Sequence, residues 1–353
     1  MSYNQIYPTS QKTSYRAGEI ISFQIIVPNK SLVCSGIKVS GSLVPTNIQN
    51  TYYDNTIGIH GFFNNWMTQI GSSTVENISL YPRYVKMERD ATMALGDFCN
   101  NNKYISELVA STPAATNTIL SSAAKISFSF EPQISLNRSV SSDGGIPLLD
   151  YSKTGAITIT FRLAQVVECM YGTGNNNSYT MEDLRLDFMT VVSAKKSAPI
   201  SMKILNEVKQ IVSTSTSVMN VNLPAQVYSV SSSFLNVDSE YSATVNNLLC
   251  EMPEKLTQVV FQFSDSTNSA VISYPLQTQE DIIENYLDSY DTQKGKNNFT
   301  LSRVNDNTAF GVGISYADSI NLGTANFTMT LYSNASSTKK YYCYMFFKSY
   351  IQL

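Results

Sequence analysis

Apolar and polar residues alternate along four stretches of the first half of the chain: residues 19–27 (EIISFQIIV), 36–44 (GIKVSGSLV), 124–131 (AKISFSFE) and 155–167 (GAITITFRLAQVV). Successive strand side chains point to opposite faces, so this two-residue period, bounded by Pro, Gly or Asn, predicts half-buried antiparallel strands in a sandwich or barrel. Residues 79–98 (SLYPRYVKMERDATMALGDF) break the pattern, and Pro82 followed by a Glu/Arg/Asp cluster predicts a helix there. A Gly/Asn run at 171–178 (YGTGNNNS) cannot pack and turns readily, which sets an expected domain boundary at 175/176.

The second half repeats the style. Strands are predicted over 184–192, 208–214, 226–234, 256–263, 310–315, 325–332 and 340–350. Between them, residues 278–290 (TQEDIIENYLDSY) place Ile282, Ile283, Tyr286, Leu287 and Tyr290 at helical spacing, with Thr278 and Asp281 spaced as a capping box. Two β-domains, 1–175 and 176–353, each with a helix-bearing connection, are the expected organisation. Two domains also suit a length of 353 residues.

Composition sharpens this reading. Charged residues make up 14% of the chain against a usual ~25%, and 22 Tyr and 16 Phe join many Val, Ile and Thr. Those side chains fit pleated sheets. A net charge of −3 argues against a protein that neutralises nucleic acid, which needs a Lys/Arg-rich surface. The adjacent pairs Lys195-Lys196 and Lys339-Lys340 read as solvated turns. No apolar run of about 20 residues occurs and the N-terminal segment has no signal-peptide core, so a soluble protein made in a reducing cytoplasm is expected. Cys34, Cys99, Cys169, Cys250 and Cys343 are odd in number and widely spaced, as small buried hydrophobes are. Sequons at Asn29, Asn77, Asn137, Asn176, Asn298, Asn326 and Asn334 follow from a composition rich in Asn, Ser and Thr.

Candidate chemistry is sparse. His60 is the only histidine, so every histidine-dependent triad or dyad would have to use it; it reads as packed beside Phe62 and Phe63. The carboxylate pairs Glu280/Asp281 and Glu88/Asp90 could be imagined as glycosidase acids. The first is better explained by helix capping and the second by a solvated helix face. Trp66, with Phe62, Phe63 and Met67, reads as core or subunit-interface packing. Gly172-Thr173-Gly174, Asp143-Gly144-Gly145 and Asn305-Asp306-Asn307 are turn signals, neither phosphate nor calcium loops. No catalytic, cofactor-binding or metal-binding residue is assigned, and no enzymatic activity is expected.

Four segments in order resemble one family. They are 55–84 (NTIGIHGFFNNWMTQIGSSTVENISLYPRY), 126–164 with its Ile146-Pro147-Leu148 turn before a long strand, 179–191 (YTMEDLRLDFMTV) and 314–335 (ISYADSINLGTANFTMTLYSNA). Together they resemble the double jelly-roll major capsid proteins of tailless icosahedral viruses, the lineage of polinton-like viruses, virophages and tailless phages. The third segment resembles the opening strand of the second jelly roll, and the fourth a late hairpin of it. The resemblance implies an all-β chain of two tandem eight-stranded antiparallel jelly rolls with short helices in the connections. It further implies pseudo-hexagonal homotrimeric capsomers tiling an icosahedral virion shell. The implied partners are further copies of the chain, neighbouring capsomers, a penton or vertex protein, minor capsid proteins and an internal membrane, with no sequence-specific nucleic-acid binding. Tyr-rich, weakly charged flanks suit contacts between copies. A viral spike or carbohydrate-binding adhesive β-sandwich is the rival reading; tandem strand signals beginning by Glu19, with no shaft, weigh against it.

Overall fold

The computed structural model describes all residues except 47–50, 55, 93–116, 120–124, 173–176, 193–197, 214–215, 223–226, 266–270, 291–310, 316–324 and 334–338. Cys99 and Asn305-Asp306-Asn307 lie outside the described residues.

The first sandwich is built from β1 (Ser2–Ile6), its continuation β2 (Ser14–Arg16), β3 (Ile20–Ile25), β4 (Lys38–Thr46), β5 (Phe63–Ile70), β6 (Ser73–Ile78), β7 (Ile126–Phe130), β8 (Ile157–Leu163) and β9 (Ser178–Val192). One sheet pairs β7-β4-β9, with β1 and β2 on successive parts of β9, and the other pairs β3-β8-β5-β6. The second sandwich comprises β10 (Ile200–Ser213), β11 (Ser217–Asn222), β12 (Val227–Asn236), β13 (Leu256–Asp265), β14 (Val271–Leu276), β15 (Val312–Ser315), β16 (Ala325–Ser333) and β17 (Lys340–Gln352). Its sheets pair β10-β17-β12-β15 and β11-β16-β13-β14.

With β1 and β2 counted as one interrupted strand, both halves share one antiparallel order, positions 1-8-3-6 in one sheet and 2-7-4-5 in the other. This is the jelly-roll connectivity, so the chain is a double jelly roll. Helices α1 (Tyr81–Thr92) and α2 (Gln279–Asp288) occupy the same place in each, after the fifth strand and before the sixth. Thr278 caps α2 through the expected box: its hydroxyl accepts from the Asp281 amide at 3.0 Å, and Asp281 accepts from the Thr278 amide at 3.2 Å.

Three expectations are corrected by the pairing. The boundary at 175/176 falls too early, because β9 is the eighth strand of the first jelly roll, in register with β4 from Ser178↔Thr46 to Asp187↔Lys38. The chain passes to the second sandwich between Val192 and Ile200. The Gly/Asn run therefore lies within the first jelly roll, between its seventh and eighth strands; turn chemistry marks a reversal and does not say which sheet receives the next strand. Segment 314–335 is likewise no hairpin: β15 pairs with β12, whereas β16 pairs with β11 and β13 in the opposite sheet. Finally, residues 164–167 leave the strand after Leu163, and a single helical turn forms at Val166–Cys169.

Alternation builds the cores. Along β8, Ile157, Ile159, Phe161 and Leu163 are buried while Thr158, Thr160 and Arg162 are less so. Phe161 meets Trp66 of β5 (ring centroids 4.7 Å) and Phe63 (5.0 Å), and Phe63 reaches Phe130 of the facing sheet at 4.9 Å. Such pairs add about 0.5–1.5 kcal/mol each beyond the area they bury. Strand β17 departs from alternation, being buried on both faces from Tyr341 to Ser349 apart from Tyr342. Cys343, Met345 and Phe347 pack in the second core, while Tyr344 and Phe346 join the core of the first sandwich. A strand covered on both sides carries an apolar run instead of an alternating pattern.

The described cysteines are all buried free thiols. Burial pushes Cys34 up to about 12 and Cys250 up to about 11, and raises Cys169 and Cys343 as well. Since the thiolate is the reactive form, these four should resist iodoacetamide at pH 8 in the folded protein and label fully in urea, as read by peptide mass mapping.

Candidate functional site

The most constrained region lies where the two sandwiches meet. Seam-facing positions of β12 carry small side chains: Ser229, Ser231 and Ser233 are buried there, and Leu235 joins the first core. Gly311 is equally constrained, since a Cβ on it would come within 1.6 Å of the Ser232 carbonyl oxygen. These small residues let helices and strands approach closely. One first-sandwich strand crosses over: Ser139–Ser141 pairs antiparallel with Ile200–Met202 at the edge of β10, which also covers part of an otherwise open edge.

Charged side chains then span the seam, each with partners on the far side. Glu76 of β6 accepts from the Leu205 amide of β10 at 2.8 Å and from the Ser135 amide at 2.7 Å, and pairs with Arg138. Arg138 Nε in turn donates to the Lys203 carbonyl at 3.3 Å. Glu207 of β10 reaches back: its two oxygens accept from the Ser79 and Leu80 amides at 2.7 and 3.0 Å, beside the N-terminus of α1. A carboxylate there satisfies orphan amides and complements the helix dipole. Arg83 of α1 donates to the Ser233 hydroxyl (3.2 Å) and to the Asn247 carbonyl, and its guanidinium lies 4.0 Å from the Tyr344 ring centroid.

Asp54 completes the set. It accepts from Asn246 Nδ2 at 2.7 Å across the seam, and Lys86, itself 2.8 Å from Asp90, lies 3.8 Å away. Burial alone would raise the Asp54 carboxyl, but Lys86 and hydrogen bonds from Thr56 and Asn246 outweigh it and hold it below its ordinary range. Asp90 is thus buried and paired, which corrects the expected solvated face for Glu88/Asp90. Tyr84 donates to Glu88 at 3.1 Å. Glu280 and Asp281 occupy the exposed first turn of α2, with Asp281 acting as a cap.

His60 lies beneath α1, and both its nitrogens are occupied. Arg89 donates to Nε2 at 2.9 Å, which leaves the proton on Nδ1 to be donated to Tyr81 Oη at 2.6 Å. Its closest ring partner is Phe130 at 4.6 Å, across the sandwich rather than along the sequence. Burial first, and Arg89 second, hold its pKa well below the ordinary imidazole range. An imidazole so enclosed is not placed to abstract a proton from a bound substrate. Trp66 is buried in the aromatic core, and Asp143 forms a turn by accepting from the Gly145 amide at 2.9 Å. Among the described residues no group of three or more His, Cys, Asp and Glu could hold a metal ion, and no helix is long and apolar enough to cross a membrane.

No protein-family model matches the chain, and no curated protein matches its sequence. Solved structures do match its fold end to end. A Faustovirus major capsid protein aligns over 100% of this chain and 90% of its own, with a TM-score of 0.62 at 8% identity. A chain of the PBCV-1 virus capsid covers 100% and 94%, with a TM-score of 0.60 at 14% identity. One from the Sputnik virophage covers 100% and 88%, with a TM-score of 0.53 at 10% identity.

Two predictions follow from the seam and from His60. Arg138→Met strands the Glu76 carboxylate in a buried site and should destabilise the fold by about 3–5 kcal/mol, whereas Glu76→Gln/Arg138→Met, which removes the charge and keeps a neutral acceptor facing the Leu205 and Ser135 amides, should lose less; urea unfolding measures both. For His60, the unfolded chain takes up a proton below about pH 6.5 while the folded chain does not. Stability should therefore fall as pH drops from about 6.5 toward 5, by up to about 1.4 kcal/mol per unit from this residue. Urea midpoints of His60→Gln should lack that component.

Proposed function

We propose that this chain is a viral major capsid protein with a structural, non-enzymatic role in the virion. The observation that carries the reading is the double jelly roll itself, two sandwiches of identical strand order locked side by side, matching viral capsid chains over its whole length. Two sandwiches per subunit give a trimer six similar lobes, the outline of a pseudo-hexagonal capsomer that can tile an icosahedral shell. Closed cyclic assembly uses complementary flanks on every copy. Exposed Tyr3, Tyr7, Tyr241, Tyr274 and Tyr332 supply side chains with a large apolar body and a polar tip, suited to such flanks.

In this reading the partners are further copies of the chain, neighbouring capsomers, a penton or vertex protein, minor capsid proteins and an internal membrane. The genome is not bound directly, as a net charge of −3 accords with. Synthesis takes place in the host cytoplasm, with assembly into virions. The proposed domain division follows the strand pairing, with the first jelly roll ending at Val192.

Light scattering on the purified chain at neutral pH and moderate salt tests the proposal, with negative-stain microscopy of the same sample. A discrete species near three times the 39.1 kDa chain mass, or closed shells, is the expected result. A stable monomer that binds glycans would overturn it in favour of an adhesive sandwich.

A further inference from the structure

The outer sheet faces of the two sandwiches differ in charge. On the first, the face of β7-β4-β9 carries or borders the ion pairs Lys38 with Glu131, Lys125 with Glu182 and Arg185 with Asp187. On the second, sheet β11-β16-β13-β14 turns Met219, Met329, Leu331, Val259 and Phe261 into the core, so the residues alternating with them face outward. One row across the four strands reads Val218, Thr330, Val260 and Pro275. The next reads Asn220, Thr328, Gln262 and Ser273, and on the other side Gln258 lies opposite Tyr332. None of these positions is charged.

Solvent reaches this face: Val218 is 58% exposed, and Asn220, Ser273 and Pro275 are exposed as well. Depletion of charge, more than bulk hydrophobicity, is what distinguishes the core of a protein–protein contact from ordinary surface. The edge of the sheet gives a second, independent sign. Edge strands are normally blunted by charged side chains or proline. Strand β11 ends its sheet with the sequence SVMNVN, which has neither.

We propose that this face docks on the same face of a second copy of the chain, as a two-fold contact between neighbouring capsomers. The contact rests on the shell-forming reading above and adds to it the surface that links one capsomer to the next. In a two-fold contact one patch serves both partners, so side chains near the axis meet their own duplicates and a charge there would face its like. Uncharged rows avoid that repulsion, and the row from Val218 to Pro275 supplies an apolar centre between amide and hydroxyl rims. Four strands about 4.8 Å apart, each with about seven residues at about 3.3 Å, span roughly 400 Å². That is half of the ~800 Å² per partner found in stable pairs. Such a contact is weak singly and strong when many form at once, as closing a shell requires.

Sedimentation velocity of the full chain over a concentration series, at pH 7.5 and moderate salt, tests this. Wild type is expected to form species larger than a trimer that grow with concentration. Val218→Lys puts like charges across the axis and should weaken that further association by about tenfold or more while leaving the trimer intact. Asn220→Asp, on the same exposed strand, should act likewise and decides alone should Val218→Lys fail to fold. Ser127→Lys, exposed on the charged face of the first sandwich, should assemble as wild type does. Wild type that stops at the trimer, or Asn220→Asp that assembles unchanged, overturns the contact and leaves the capsomer reading standing. Loss of the trimer itself in the variants overturns the two-fold pairing by moving the face to the three-fold contact. A chain monomeric throughout overturns both.

Discussion

Buried charge satisfied across a seam is the constraint on which the arrangement of this molecule depends. Buried Glu76, Arg83 and Asp54, and half-buried Glu207, each find at least one hydrogen-bond partner in the other sandwich, several of them backbone amides or carbonyls. A buried ionised group without partners is strongly disfavoured, so pulling the sandwiches apart would leave donors and acceptors unmatched on both sides at once. Hydrogen bonds are directional as well as short-ranged. Such a seam therefore fixes the angle between the sandwiches, which an apolar contact of the same area would leave free to slide.

The seam also accounts for features that look anomalous within one sandwich. Serine is an unusual choice for a central strand, yet β12 buries Ser229, Ser231 and Ser233 on the side facing the helices. Ser233 accepts from Arg83, and Ser229 donates to the Ser289 carbonyl at the end of α2 at 2.6 Å. The side chains are small enough for close approach and polar enough to meet the groups that arrive. Two-faced burial of β17 has the same origin, its alternate residues being divided between the two cores.

The two jelly rolls repeat one connectivity but solve helix capping differently. Helix α2 carries its own box in Thr278 and Asp281, whereas the amides before α1 are met by Glu207 from the neighbouring sandwich. A local motif suffices where the helix start is exposed. Where it abuts another unit, the cap comes from that unit and ties the two together.

Much of this was legible in the sequence. The two-residue period and the β-branched and aromatic content determined an all-β chain, since alternation is a property of the strand itself. Thr278 and Asp281 announced α2, and Pro82 marked the start of α1, because capping and the fixed proline φ act over a few residues. Other features were decided only by the tertiary structure. Strand β9 looks the same whether it opens the second sandwich or closes the first, since its pairing with β4 spans more than 130 positions of sequence. The polar-rich β5, with Asn64 and Asn65 beside Trp66, gave no clean alternation. Glu76, Glu207 and Arg138 carry no local signal at all: a charged residue in a strand reads as solvent-facing until the fold brings a second sandwich against it. Local rules set the elements, and the choice of partner, with the burial of charge it permits, belongs to the folded whole.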